Sequence, residues 1–195
     1  MYGVIEIFGL PAHPLLVHLP VIVVPAFLLT LLAYLLIVPA RAKLGWVVMV
    51  LSVLAPLSTA AAWYTGHQFY DEHIDVITAA GADTTKFTTL LADHLAHGDV
   101  LIWVMVAMAP VTWLFGALER GRRAAARRAT PGDPDGTASP ASAPSSESDP
   151  ASRGRKVVMV VLAVVLLGLS AGAGWYTYQT GHSGAKVVWG TPKGS

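Results

Sequence analysis

A chain of 195 residues that is 54% hydrophobic and only 13% charged, with a mean hydropathy of +0.56, is not an ordinary water-soluble globule; such domains carry about 25% charged residues. The lack of cysteine excludes disulfides, thiolate metal sites, iron–sulfur clusters and thiol catalysis, leaving seven histidines as the strong nitrogen ligands. A formal net charge of +1 decides nothing by its size, so the charges have to be read by position.

A membrane-spanning helix needs about 20 largely apolar residues. Charge-free runs cover 7–40, 44–70, 100–118 and 157–185, each rich in Leu, Val, Ala and Ile. They predict spans at 14–38, 44–66, 94–118 and 156–180. The expected fold is all-α, an integral membrane four-helix bundle built from two helical hairpins. Residues 1–118 hold the first three spans, 119–155 a linker, and 156–195 the fourth span with an outer tail. The first run is too long for a signal peptide and no positive charge precedes it, so it is read as retained despite Ala40-Arg41-Ala42.

Span 1 carries Pro14 at its first turn and Pro20 and Pro25 inside; span 2 carries Pro56 and span 3 Pro110. Each interior proline frees a carbonyl one turn earlier and favours a kink. Such carbonyls are usually covered by neighbouring helices. Before span 3, Phe87, Leu90, Leu91 and Leu95 recur at helical spacing, so the helix is expected to start near Thr85 and project outward by about two turns. In span 4, Gly168, Ser170, Gly172 and Gly174 form a small-residue stripe for close packing.

Orientation follows from Lys and Arg. Ten of the 13 fall in the 1–2 and 3–4 connections: Arg41 and Lys43, then Arg120 through Lys156. The opposite side holds Lys86, Lys186 and Lys193. A bacterial plasma-membrane protein with both termini and the 67–93 loop outside is therefore expected. The cytoplasmic 119–155 segment is Ala, Pro, Ser, Gly, Asp and Arg, too poor in apolar surface to offset its ordering entropy, and is read as disordered. Its Arg120–Arg128 cluster reads first as a stop-transfer signal, with anionic lipid headgroups as the alternative partner.

All seven histidines fall toward one side: His13 and His18 open span 1, His67 ends span 2, His73 lies in the outer loop, His94 and His97 open span 3, and His182 ends span 4. There is a weak internal repeat. Trp63-Tyr64-Thr65-Gly66-His67 ends span 2, while Trp175-Tyr176-Thr177 and Thr180-Gly181-His182 end span 4. Two hairpins of similar plan would bring imidazoles from four helices to one level. Ionisable groups at such depth tend to face the bundle interior. His94 and His97 share a helix face; His13 and His18, five apart, do not. Imidazoles meeting there would ligate a haem iron or another metal, with His18 and His97 the first choice and His13, His67, His94 and His182 as alternates. Otherwise they bond to interfacial water, to freed carbonyls, or to Asp93 and Asp99. A second set, His67, His73, Asp71, Asp75 and neighbouring Glu72, would suit a divalent cation such as zinc, though its spacing fits no firm motif. Trp63, Trp175, Trp189, Tyr64 and Tyr176 read as an outer aromatic belt before they read as walls of a planar cofactor.

The stretch Ala12-His13-Pro14-Leu15-Leu16-Val17-His18-Leu19-Pro20 resembles the opening of the DUF2231 family of bacterial predicted membrane proteins. Thr65-Gly66, a histidine in the third span, and the tail Ser183-Gly184-Ala185-Lys186-Val187-Val188-Trp189-Gly190 are similar to its further elements. Leu19 stands where the family has Phe, and Ser183 where the tail has its first Gly. The likeness covers the spans and not the linker. It implies a four-span bacterial membrane protein and supplies no catalytic residues; a similarity to small b-type membrane cytochromes is analogy.

Three functions follow as expectations. One is a membrane electron-transfer protein with haem b near the outer face and a membrane or periplasmic redox partner. Another is a non-haem metal-binding protein using the same histidines. The third is a non-catalytic structural or partner-binding subunit. Its surroundings are the lipid bilayer; no nucleic-acid partner is expected. No His-Glu-x-x-His, phosphate-loop or dinucleotide pattern is present, so hydrolysis and nucleotide chemistry are not expected. No charge lies deep in a span, which argues against ion-coupled transport.

Overall fold

The structure is a computed structural model that describes residues 5–79, 84–129 and 150–189. Strands β1 (Glu6–Ile7) and β2 (Leu10–Pro11) pair antiparallel, Glu6 opposite Pro11 and Ile7 opposite Leu10. Phe8 and Gly9 turn between them, both at positive φ, as a tight two-residue hairpin requires. Helix α1 (Ala12–Leu16) leads directly into α2 (His18–Leu36). The break at Val17 has a local cause: Pro20 has no N–H for the Leu16 carbonyl one turn earlier. A 3-10 turn at Val38–Ala40 links α2 to α3 (Arg41–Ala79), which is followed by α4 (Thr84–Ala129) and α5 (Pro150–Trp189).

Among the described residues, four helical stretches are long and apolar enough to cross a membrane: Ala12–Leu36, Val38–Asp71, Thr88–Arg128 and Arg153–Val187. Consecutive helices pack on each other, α2 on α3, α3 on α4 and α4 on α5, while α2 meets α5 over a shorter seam. The buried positions recur at helical spacing: Val24, Phe27, Leu31 and Tyr34 on α2, Leu101, Met105, Met108 and Phe115 on α4. The opposite faces are apolar as well, with Leu29, Trp46, Trp103 and Val164 all exposed. In water such a surface would be a liability; hydrocarbon is the solvent it suits. Hydroxyls inside these helices turn back on their own carbonyls, as Thr112 does on Met108 (2.7 Å) and Ser170 on Leu166 (2.7 Å).

The helices run further than the expected spans. The stretch read as an outer loop, 67–93, is helical through Ala79 and again from Thr84, close to the start expected for span 3. Of the segment read as disordered, 119–129 continues α4 and 150–155 belongs to α5; residues 130–149 lie outside the described residues. Helix α5 also passes position 180 and ends at Trp189. Extending an existing helix adds one hydrogen bond per residue fixed, and residues such as Ala124–Ala126 favour it. Low apolar content argues against a packed core, and not against continuing a helix already begun.

One charged group is deeply buried at the end of the helices opposite the histidines. Glu119 is 1% exposed. Arg122 grips both its oxygens (3.0 and 2.9 Å), Arg123 donates to one (2.8 Å), and the Arg41 guanidinium lies 3.7 Å away. Arg41 also donates to the Tyr34 and Leu35 carbonyls at the end of α2 and lies over the Phe115 ring. A guanidinium at a helix C-terminus meets otherwise unpaired carbonyls and the negative end of the helix dipole. One carboxylate thereby ties together the end of α2, the start of α3 and the Glu119–Arg123 stretch of α4. Replacing it strands three guanidinium groups: Glu119→Ala is expected to cost roughly 2 kcal/mol in thermal unfolding in detergent. Arg127→Ala, at an exposed position, should change stability by no more than about 0.5 kcal/mol.

Candidate functional site

The histidine layer is built from helix phase. His13 on α1 leans against α3, where its Nδ1 donates to the Ala62 carbonyl at 3.0 Å. A Cβ at Gly66 would stand 2.8 Å from His13 Cε1, so the ring lies flat on the helix only because position 66 is glycine. His94 on α4 repeats the arrangement against α5. Its Nδ1 donates to the Thr180 carbonyl at 3.0 Å, with the Ser183 hydroxyl at 3.3 Å, and a Cβ at Gly184 would fall 3.0 Å from Cε1. The two half-buried rings stand 6.4 Å apart, edge to face at 78°. Phe69 stacks on the far side of His13 at 6.4 Å.

A carbonyl can only accept, so each Nδ1 carries the proton and each Nε2 keeps its lone pair. Neither Nε2 has a hydrogen-bond partner among the described residues. A metal-bound histidine is oriented in the same way, its second nitrogen donating to a carbonyl.

The first-choice pair, His18 and His97, is not the pair brought together. His18 is exposed and its Nδ1 turns to the Leu15 carbonyl of the preceding turn, at 3.3 Å. His97 faces Tyr176 of α5 with ring centroids 6.2 Å apart. No ring contact joins His18 to His97 among the described residues. Depth along the chain suggested them; rotation decides otherwise. At about 100° per residue, His18 lies roughly 140° around the helix from His13 and so points away from the axis that His13 faces.

The remaining candidates separate. His67 donates from Nδ1 to the Trp63 carbonyl (3.0 Å), and its Nε2 lies 3.3 Å from Asp99. The Trp63 indole N–H donates to the same Asp99 oxygen at 2.6 Å, so α3 and α4 are joined by a Trp–Asp–His group. His182 is exposed and stacks on Tyr178 one turn earlier. Asp71 is exposed, while the side chains of Glu72, His73 and Asp75 lie outside the described residues. Among the described residues no group of three or more histidine or acidic side chains is arranged to hold a metal ion, and His67 of the second set is committed to Asp99. Trp175 and Trp189 are exposed.

Among the described residues, three buried polar atoms lack a partner, all at the histidine end of the helices: Gln68 Oε1, His97 Nδ1 and Thr180 Oγ1. Buried polar atoms are ordinarily satisfied, so the layer retains capacity for a polar guest. The letters Gly168-Leu169-Ser170-Ala171-Gly172 spell the pattern of a hydrolase nucleophile elbow. Ser170 is nevertheless mid-helix and buried, bonded to its own helix, with no strand before it.

Sequence reading named Gly66 and Gly184 only as letters of a repeat and of a family resemblance; it paired neither with a histidine and did not find the Trp63–Asp99 bond. A glycine inside a helix costs about 1 kcal/mol, so two of them at the level of the histidines are the signal that was available. The site predicts unequal histidines. His13→Ala removes an interhelix bond and a part-buried ring and should cost roughly 1–3 kcal/mol; His18→Ala should stay within about 0.5 kcal/mol. Thermal unfolding of the detergent-solubilised variants reads both.

Compared with known protein families, with curated proteins and with solved structures, the chain matches none.

Proposed function

We propose that the chain is a four-helix bundle of the bacterial plasma membrane, two helical hairpins with both termini outside, whose histidine layer holds haem b for electron transfer through His13 and His94. The observation that carries this reading is the pair itself: two half-buried imidazoles from separate helices, each with Nδ1 committed to a carbonyl and Nε2 uncommitted. A metal–imidazole bond is about 2 Å long, so two rings with centroids 6.4 Å apart would be close enough to hold one metal between them through Nε2. Haem iron takes the rest of its ligands from the macrocycle and needs only axial groups from the protein. A non-haem ion usually takes three or more protein ligands, and no such group is present among the described residues.

Haem, when bound, would supply a one-electron couple. The chain's own residues supply position and environment. The Ala62 and Thr180 carbonyls set the tautomer and keep the lone pairs on Nε2. Phe69 gives His13 an apolar wall. A membrane or periplasmic redox partner would exchange the electron.

An oxidised-minus-reduced absorption spectrum of purified protein is expected to show a Soret band that shifts on reduction. His13→Ala or His94→Ala should abolish it, and His18→Ala should not. A colourless, iron-free protein would falsify the haem reading; stoichiometric zinc or copper by elemental analysis would replace it with a non-haem one. A second reading, a non-catalytic structural subunit, is favoured by the same Nδ1–carbonyl bonds, since they clamp α1 to α3 and α4 to α5. It is supported if the wild type is colourless and metal-free yet unfolds at lower temperature as His13→Ala.

The orientation has its own test, made simple because the chain has no cysteine. In intact spheroplasts a membrane-impermeant maleimide should label Lys186→Cys and leave Arg127→Cys unlabelled. The reverse pattern would invert the topology and move the histidine layer to the cytoplasmic face.

A further inference from the structure

Buried positions in the two halves of the chain recur at fixed offsets. His94 stands 81 positions after His13, and the buried residues Met105, Met108, Thr112 and Phe115 stand the same 81 after Val24, Phe27, Leu31 and Tyr34. Between α3 and α5 the offset is 118. It carries buried Val48, Ser52 and Ala55 onto buried Leu166, Ser170 and Ala173, and Gly66 onto Gly184. The hydrogen bonds follow the same offsets. Thr59 bonds the Ala55 carbonyl as Thr177 bonds that of Ala173. Thr65 bonds the carbonyls of Ala61 and Ala62 as Ser183 bonds those of Gln179 and Thr180. This register differs from those visible in the sequence, where the Thr-Gly-His strings align Gly66 with Gly181 and the Trp-Tyr-Thr strings align Trp63 with Trp175.

A residue meets its own counterpart only where a two-fold axis passes between them. It happens at both ends of the molecule. His13 meets His94 at one end, and Tyr34 meets Phe115 edge to face, 5.8 Å apart, at the other. Two such contacts define an axis running lengthwise between α2 and α4.

We infer that the chain is two copies of one helical hairpin about that axis, and that the imidazole centre lies on it as a two-fold site. Gly66 and Gly184 are then matched positioning residues of equal weight, and the ligand is one that offers two equivalent faces, as a metal with two opposite positions open does. The ligand part of the inference rests on the metal-binding reading above; the two-fold part does not. The copies differ beside the axis. Trp63, His67 and Asp99 have Gly181, Ala185 and His18 as counterparts, so the Trp–Asp–His group exists on the α3–α4 seam alone. A Cβ at Gly181 would meet nothing within 4 Å, in keeping with the shorter α2–α5 seam.

The test compares matched substitutions in the full chain, Gly66→Ala against Gly184→Ala. Each added methyl pushes one imidazole off its carbonyl, so each is expected to weaken retention of the bound metal about tenfold and to shift the absorption spectrum in the same direction. A spectral shift distinguishes positioning from a general loss of stability. One glycine silent while the other is essential would overturn the inference. If the wild type carries no metal, the metal-binding reading fails, and the two-fold inference is then read from thermal unfolding alone. Equal drops for Gly66→Ala and Gly184→Ala sustain it, and clearly unequal drops overturn it. Should either alanine variant not fold, Thr65→Ala and Ser183→Ala, which remove the hydroxyl behind each accepting carbonyl, read the same comparison.

Discussion

An imidazole N–H bonded to a backbone carbonyl of a neighbouring helix, beside a glycine that lets the ring come close, is the interaction on which the histidine end of this molecule depends. It is made twice, by His13 on α3 and by His94 on α5. A helix carbonyl inside an apolar bundle already accepts from its own helix, but it has a second lone pair. A side-chain donor that reaches it is therefore both satisfied and anchored. The same bond sets the tautomer, so one contact fixes position, proton and lone pair together. Without the glycine the ring could not lie against the helix, and its nitrogen would miss the carbonyl.

The opposite end is held by a different force. There a single buried carboxylate, Glu119, collects guanidinium groups from α3 and α4. Such a cluster is favourable only because the geometry is bidentate and the arginines remain partly hydrated. Between the two ends the core consists of apolar side chains and small hydroxyls bonded to their own helices. Among the described residues, this middle layer provides shape and one interhelix polar bond, Trp113 to Ser52. Specific pairing of the helices therefore comes mostly from the two ends, which is also where the ionisable residues sit.

Much of the architecture was legible before any coordinates. Runs without charge marked four apolar helices, and Phe87, Leu90, Leu91 and Leu95 announced that α4 begins well ahead of its apolar stretch. The extent of the helices was not, because the absence of apolar residues in 119–129 speaks to packing rather than to backbone hydrogen bonding. The duplication was half visible. The Trp-Tyr-Thr strings advertised it in a register that the contacts replace, since exposed residues such as Trp63 and Trp175 are freer to drift than the buried positions that must keep their spacing.

Local chemistry along the chain was enough to establish that histidines gather at one level of the helices, since each is placed by its distance from the end of an apolar run. It could not say which of them meet. At about 100° of rotation per residue, two histidines at nearly the same depth can face opposite ways, and a shift of one position in a helix start redirects a ring completely. His13 and His94 converge, and His18 and His97 part, because the packing of α1 on α3 and of α4 on α5 sets the rotation of each helix. That rotation is a property of contacts between residues 49 and 86 positions apart, and no local pattern contains it.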